Sequence, residues 1–206
     1  MVQAQTQGGS RIQELIEAAE RLIERHRRTP LTMADVAAEA GMTEAAARQI
    51  VPDERAMVDV LSETAMTHLL DSISRRTVAI DAMDAGARVR AIAEGFLEWS
   101  IRRPHEFLLA ADRNLMSVDN SAALKRLNDS VRDLLRRSLR EAQQQGQLAE
   151  ELDLDLLALT GRALVYGLAR MIQDGHFQEW SVDTSADPEE MARRSLGVYL
   201  DAVYRV

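Results

Sequence analysis

Between Thr32 and Val51 the chain reads TMADVAAEAGMTEAAARQIV, and this tract constrains the fold more than any other. Thr32 stands where a helix cap belongs, with Asp35 following in the capping-box position. Met33, Val36 and Ala37 then share one face at helical spacing, and Gly41 supplies a turn that a side chain would hinder. Thr43 caps a second short helix ending near Val51. Two short helices about a tight Ala-Gly turn, packed on a longer first helix, make a helix-turn-helix.

The rest of the chain agrees with an all-α fold. Ala, Leu, Arg and Glu are abundant, prolines number 4, and no segment alternates as a strand would. Residues 1–9 are polar and aperiodic, so a disordered lead-in is expected with order beginning near Ser10. From Arg11, the residues Ile12, Leu15, Ile16, Ala19, Leu22 and Ile23 form one apolar stripe, ending around Arg27 and Arg28 before Thr29-Pro30. Pro52-Asp53 opens a long fourth helix. Further helices are predicted over 88–102, from Pro104 to about Leu115, over 119–145 up to Gly146, over 152–173, and over 188–204 after a polar loop. The expected division is a helix-turn-helix domain at 10–62 and a helical domain at 63–206, parting inside the fourth helix.

Composition excludes several functions. With Cys 0 there is no disulfide framework, cysteine nucleophile or thiolate metal site. No apolar run approaches the ~20 residues of a membrane span, and MVQAQTQGGS lacks the features of a signal peptide, so a soluble cytoplasmic protein is expected. The formal charge of -8 means that contact with a polyanion must be local. Lys125 is the only lysine, the remaining cations being arginines.

The N-terminal third resembles the DNA-binding domain of the TetR family of transcriptional regulators. The residues that carry the likeness are Arg11, Ile12, Ile16, Ala18-Ala19 and Leu22, then Thr32, Asp35-Val36-Ala37, Ala40-Gly41-Met42-Thr43 and Met57. Farther on, FLEWSIRRPHEFLLAADRN (96–114) is similar to a stretch in the ligand-binding half of many members. The resemblance implies a partner, an operator of double-stranded DNA, read in the major groove by the second short helix. The expected contact set is Thr32, Thr43, Glu44, Ala46, Arg48 and Gln49. Gln49 suits adenine, Arg48 guanine or phosphate, and a small alanine a thymine methyl. Both threonines are equally explained as caps, and Arg48 as a solvated surface residue. The family commonly has Gly-Thr-Leu-Tyr-x-x-Phe where this chain has 45–51, and a lysine where it has Glu54. That acid, with the acidic balance, motivates a rival reading: a ligand-binding or protein-interacting module with weakened or lost DNA binding.

For the C-terminal domain the resemblance implies a cavity for a small-molecule effector and a homodimer built from the last two helices. Phe96, Trp99, Phe107, Met116 and Tyr166 are the expected pocket residues, ordinary core being the alternative for each. Leu164, Leu168 and Ile172, with a second stripe of Leu196, Tyr199, Leu200 and Val203, are the expected dimer contacts. A two-fold dimer sets two reading helices about one duplex turn, ~34 Å, or somewhat more apart, which predicts a pseudo-palindromic operator. Ligand entering near Trp99 and Phe107 is expected to shift the fourth helix.

An enzyme is not expected. His26, His68, His105 and His176 are scattered, no HExxH, P-loop or GxSxG occurs, and EELDLD (150–155) lacks calcium-loop spacing. No catalytic residue, metal or cofactor is assigned.

Overall fold

The computed structural model describes residues 2–26, 31–81, 84–112, 121–180 and 185–204, with side chains described from Ser10 onward. These residues form ten helices, and no strand occurs among them. The chain divides into two compact units, Met1–Met66 with Arg103–Lys125, and Thr67–Arg102 with Arg126–Val206. The division after Met66 falls inside a helix. The grouping of 103–125 with the first unit has no counterpart in a contiguous reading of the chain.

The first unit contains α1 (Val2–His26), α2 (Met33–Glu39), α3 (Glu44–Ile50), the start of α4 (Glu54–Thr77) and α6 (Pro104–Ala111). Backbone helix in α1 begins at Val2 rather than near Ser10, and its expected end at Arg27 and Arg28 lies outside the described residues. Leu15, Ala18, Ala19, Leu22 and Ile23 are all buried, as the three-to-four spacing requires. They pack with Met33, Val36 and Ala37 of α2, Ala47 of α3, and Met57 and Leu61 of α4. Removing each large aliphatic group from water stabilises this core by about 1.5–3 kcal/mol.

The turn between α2 and α3 closes by backbone chemistry. Gly41 has φ 69°, its N–H donates to Ala38 O at 3.1 Å, and Met42 N–H donates to Ala37 O at 2.8 Å. This is the Schellman arrangement, which ties up two carbonyls at the end of α2 and demands a left-handed residue at its centre. Asp53 then caps α4 by accepting from Ala56 N–H at 2.8 Å.

The second unit holds the end of α4, α5 (Ala85–Arg102), most of α7 (Ala122–Gln144), α8 (Leu154–Asp174), α9 (Phe177–Trp180) and α10 (Pro188–Val203). Here α4 and α5 cross closely. A Cβ at Gly95 would lie 2.9 Å from Ile73 Cα, and Ser72 Oγ donates to Gly95 O at 2.9 Å. Asp153 and Asp187 cap α8 and α10, and Pro188 occupies the first turn of α10, where its missing N–H costs nothing. Gly175, at φ 75°, ends α8, and α9 is a single turn with no amphipathic signal to announce it.

Candidate DNA-reading surface and ligand cavity

On α3 the residues divide by face. Ala47 is wholly buried, whereas Glu44, Ala45, Arg48 and Gln49 are exposed and Ala46 is half-buried. The three alanines therefore serve two ends: one packs against α1 and α2, and the others keep the outer face low. Thr32 Oγ1 accepts from Asp35 N–H at 3.1 Å and donates to Asp35 Oδ2 at 2.6 Å, while Thr43 Oγ1 accepts from Ala46 N–H at 3.2 Å. Both threonines are caps, as the sequence indicates.

Arg48 is not a freely solvated side chain. Its guanidinium donates to Glu44 Oε1 at 2.9 Å, to Pro52 O at 3.2 Å and to Glu54 Oε1 at 3.0 Å. Glu54 Oε1 also accepts from Met33 N–H at 3.0 Å, one of the amides that the start of α2 leaves without an intrahelical partner. Glu54 thus joins three elements: it begins α4, caps α2 and holds the arginine of α3. The Met33 amide, then its own amide and Arg48, keep its carboxyl below the usual carboxylate range. Glu44 and Glu54 together raise the Arg48 guanidinium. Sequence reading identified Glu54 only as a reversed charge; its role as a cap depends on a contact across 21 positions that no local pattern encodes. Gln49, by contrast, is exposed with no hydrogen bond among the described residues.

The second unit holds a cavity of about 410 Å³ between α5, α7, α8 and α10, partly open to solvent. Of the five aromatic and methionine residues expected in a pocket, Phe96 lines it. Trp99 is buried behind Phe96, their rings meeting edge-on at 5.6 Å. Phe107 lies buried in α6 of the first unit, Tyr166 is 38% exposed on α8, and Met116 lies outside the described residues. The wall is instead largely aliphatic, with Leu135, Leu139, Val165, Leu196 and Leu200 among its residues.

The stripe on α10 lies along the cavity. Leu196 and Leu200 are buried within the protomer, and Tyr199, Leu200 and Val203 line the cavity. On α8, Leu168 is buried, and Leu164 and Ile172 are half-buried. An amphipathic stripe has the same period whether it covers a cavity or a partner helix, so periodicity could not separate the two. The outward face is Leu152, Leu156, Leu159, Ala163 and Tyr166, at alternating steps of four and three, with Leu156 at 60% and Leu159 at 63% exposure and Leu159 also on the cavity lining. Val198 on α10 is also exposed, at 71%.

Ligand atoms of Glu20, His105 and Glu106 lie within 4.8 Å of one another. Glu106 is already engaged by Arg103 at 2.8 Å, a cation that opposes a metal charge beside it. No helix among the described residues is long and apolar enough to cross a membrane.

A helix-turn-helix unit and a cavity-bearing helical unit in one chain are the architecture of a one-component transcriptional regulator. The family model for the tetracycline repressor-like C-terminal domain matches residues 89–199, the stretch from α5 to α10. This chain belongs to that family, the TetR family of transcriptional regulators. No curated protein matches the sequence significantly. Among solved structures, a protein of unknown function from Rhodococcus sp. RHA1 is 20% identical, with 95% of this chain and 96% of that one covered at a TM-score of 0.75. The ketosteroid transcriptional regulator KstR2 of Mycobacterium tuberculosis is 16% identical, covering 95% and 96% at a TM-score of 0.72. AibR, solved in complex with isovaleryl coenzyme A and operator DNA, is 17% identical, covering 91% and 97% at 0.73.

Proposed function

We propose that the protein is a dimeric, ligand-responsive repressor that binds a pseudo-palindromic operator in the cytoplasm and releases it when an effector fills the α5–α7–α8–α10 cavity. The observation that carries this reading is the coexistence, in one chain, of a capped helix-turn-helix with an outward α3 face and a partly open, largely apolar cavity. Thr43, Glu44, Ala46 and Gln49 face the duplex in this reading, and Gln49 is the base reader. Arg48 is a strut that fixes α3 to Glu54, and Thr32 presents the start of α2 to the backbone. No catalytic role is assigned.

The second copy docks on the outward stripe of α8, from Leu156 through Tyr166, extended by Val198 of α10. Apolar residues at steps of four and three make a seam that a helix pair buries, and Leu156 and Leu159 are too exposed for a monomer to have covered them. The signal passes along α4, which gives Met57 and Leu61 to the core of the first unit and Ile73 to the second. A ligand acts on DNA affinity only so far as it prefers one position of that helix.

The test is a gel shift with the DNA upstream of the protein's own gene at several salt concentrations. A sequence-selective complex that weakens steeply with salt is expected, and Gln49→Ala lowers selectivity while the dimer persists. Failure to shift any genomic fragment at low salt overturns the reading.

A further inference from the structure

We propose that the effector is a monoanionic carboxylate amphiphile, its aliphatic body held in the cavity and its carboxylate shared by Tyr199, Tyr204 and Arg162. This deepens the ligand-responsive reading above and rests on it for the cavity being an effector site.

Three observations point to this chemistry. First, the hydroxyls of Tyr199 and Tyr204 are buried, both residues line the cavity, and neither hydroxyl has a hydrogen-bond partner among the described residues. A buried hydroxyl left without a partner is costly, so two on one wall mark a place where a ligand atom, admitted by a small shift of the wall, completes the structure. Tyr199 lies close enough to Tyr204 to add to the rise of its phenol, and the Tyr199 oxygen is 3.9 Å from where a Cβ at Gly161 would stand, next to Arg162. Burial pushes both phenols up, so they stay protonated and present hydrogens rather than charge.

Second, the lining is cationic in a chain whose formal charge is -8. Arg132, Arg136 and Arg162 stand on it against Asp155. Arg132 is engaged by Asp129 at 2.9 Å and Arg136 by Asp155 at 2.9 Å. Arg162 has no ion pair or hydrogen bond among the described residues. One uncommitted positive charge suits one negative charge.

Third, the remaining wall is apolar, from Val89 and Phe96 on α5 to Leu196 on α10, and about 410 Å³ falls within the range of small-molecule sites. Two phenol donors and one guanidinium, with an aliphatic wall, call for a ligand that is all acceptor at one end and hydrocarbon at the other. A carboxylate offers about four lone-pair sites and one charge, whereas an alcohol brings a donor of its own and no charge.

Isothermal titration of the purified full-length chain, without DNA, tests this with sodium octanoate and 1-octanol as probes. Octanoate is expected to bind at least about tenfold more tightly than octanol, the equivalent of one charge-assisted hydrogen bond. Tyr199→Phe and Arg162→Gln should each weaken octanoate by about tenfold and leave octanol nearly unchanged. Circular dichroism of the two variants should match the parent, since one change removes only a hydroxyl and the other a surface charge. Equal affinity for the two probes, unchanged octanoate affinity in both variants, or no binding of octanoate at all overturns the proposal. Because the titration contains no DNA, such a result leaves a positive operator shift standing, and a failed operator shift leaves a positive titration standing.

Discussion

Most polar side chains of the helix-turn-helix, Gln49 excepted, are engaged with one another, while two tyrosine hydroxyls and one arginine on the cavity lining are without a partner among the described residues. Around α2 and α3, Thr32, Asp35, Thr43, Glu44, Arg48 and Glu54 all have hydrogen bonds within the first unit. In the second unit, Tyr199 and Tyr204 line a cavity, and their buried hydroxyls have no hydrogen-bond partner among the described residues. The first region is preorganised, so it presents one surface to a duplex without further ordering. The second is incomplete, which is how a site gains affinity for what completes it.

The sharpest way to break this contrast is to delete equal volumes from both regions. Leu15 is fully buried in a close-packed core, and Leu15→Ala should lower the unfolding free energy by about 2–5 kcal/mol. Leu200 is nearly as buried but has the cavity on one side, and so fewer atoms to lose contact with. Leu200→Ala should cost nearer the low end of the same range and enlarge the chamber. Urea unfolding of the two variants measures the difference, and a larger loss at Leu200 would mean that the chamber wall is packed as tightly as the core.

A smaller effect is expected at the turn. Gly41 is held in the left-handed region at φ 69°, with open space where a Cβ would go. Gly41→Ala meets no clash, so its whole cost is conformational, about 1–2 kcal/mol. Loss of operator binding with little change in urea midpoint would show that the Schellman turn sets the angle of α3 rather than the stability of the unit.

Local signals carried most of the first unit into the sequence reading. Thr32 and Thr43 cap the helices named for them, Gly41 takes the positive φ, and the α1 stripe from Leu15 to Ile23 is the buried one. Each of those features is set within a few residues. What the sequence hid is set by partners far along the chain. Glu54 reaches Met33, Phe107 packs in the unit opposite in sequence to the one assumed, and the α10 stripe turns toward a cavity. The single turn α9 is too short for a period to register.

The finest expected effect concerns pH and separates the two roles of Glu54. Its carboxyl is held below the usual carboxylate value in the folded chain, chiefly by the Met33 amide, so the folded state favours the ionised form. The stabilisation is therefore fully present above the unfolded value, about 4.3, and is lost as pH falls through the lowered folded value. Glu54→Gln keeps an oxygen to accept from Met33 N–H but carries no charge to titrate or to pair with Arg48. Its unfolding curve should resemble the parent's in strong acid and fall slightly below it near neutrality, a gap that closes as pH drops. Urea midpoints measured between pH 3 and 7 report this. A gap that stays constant with pH would assign the contribution to the shape of the side chain alone, and Arg48 would then be held by Glu44 and Pro52 without help from the charge on α4.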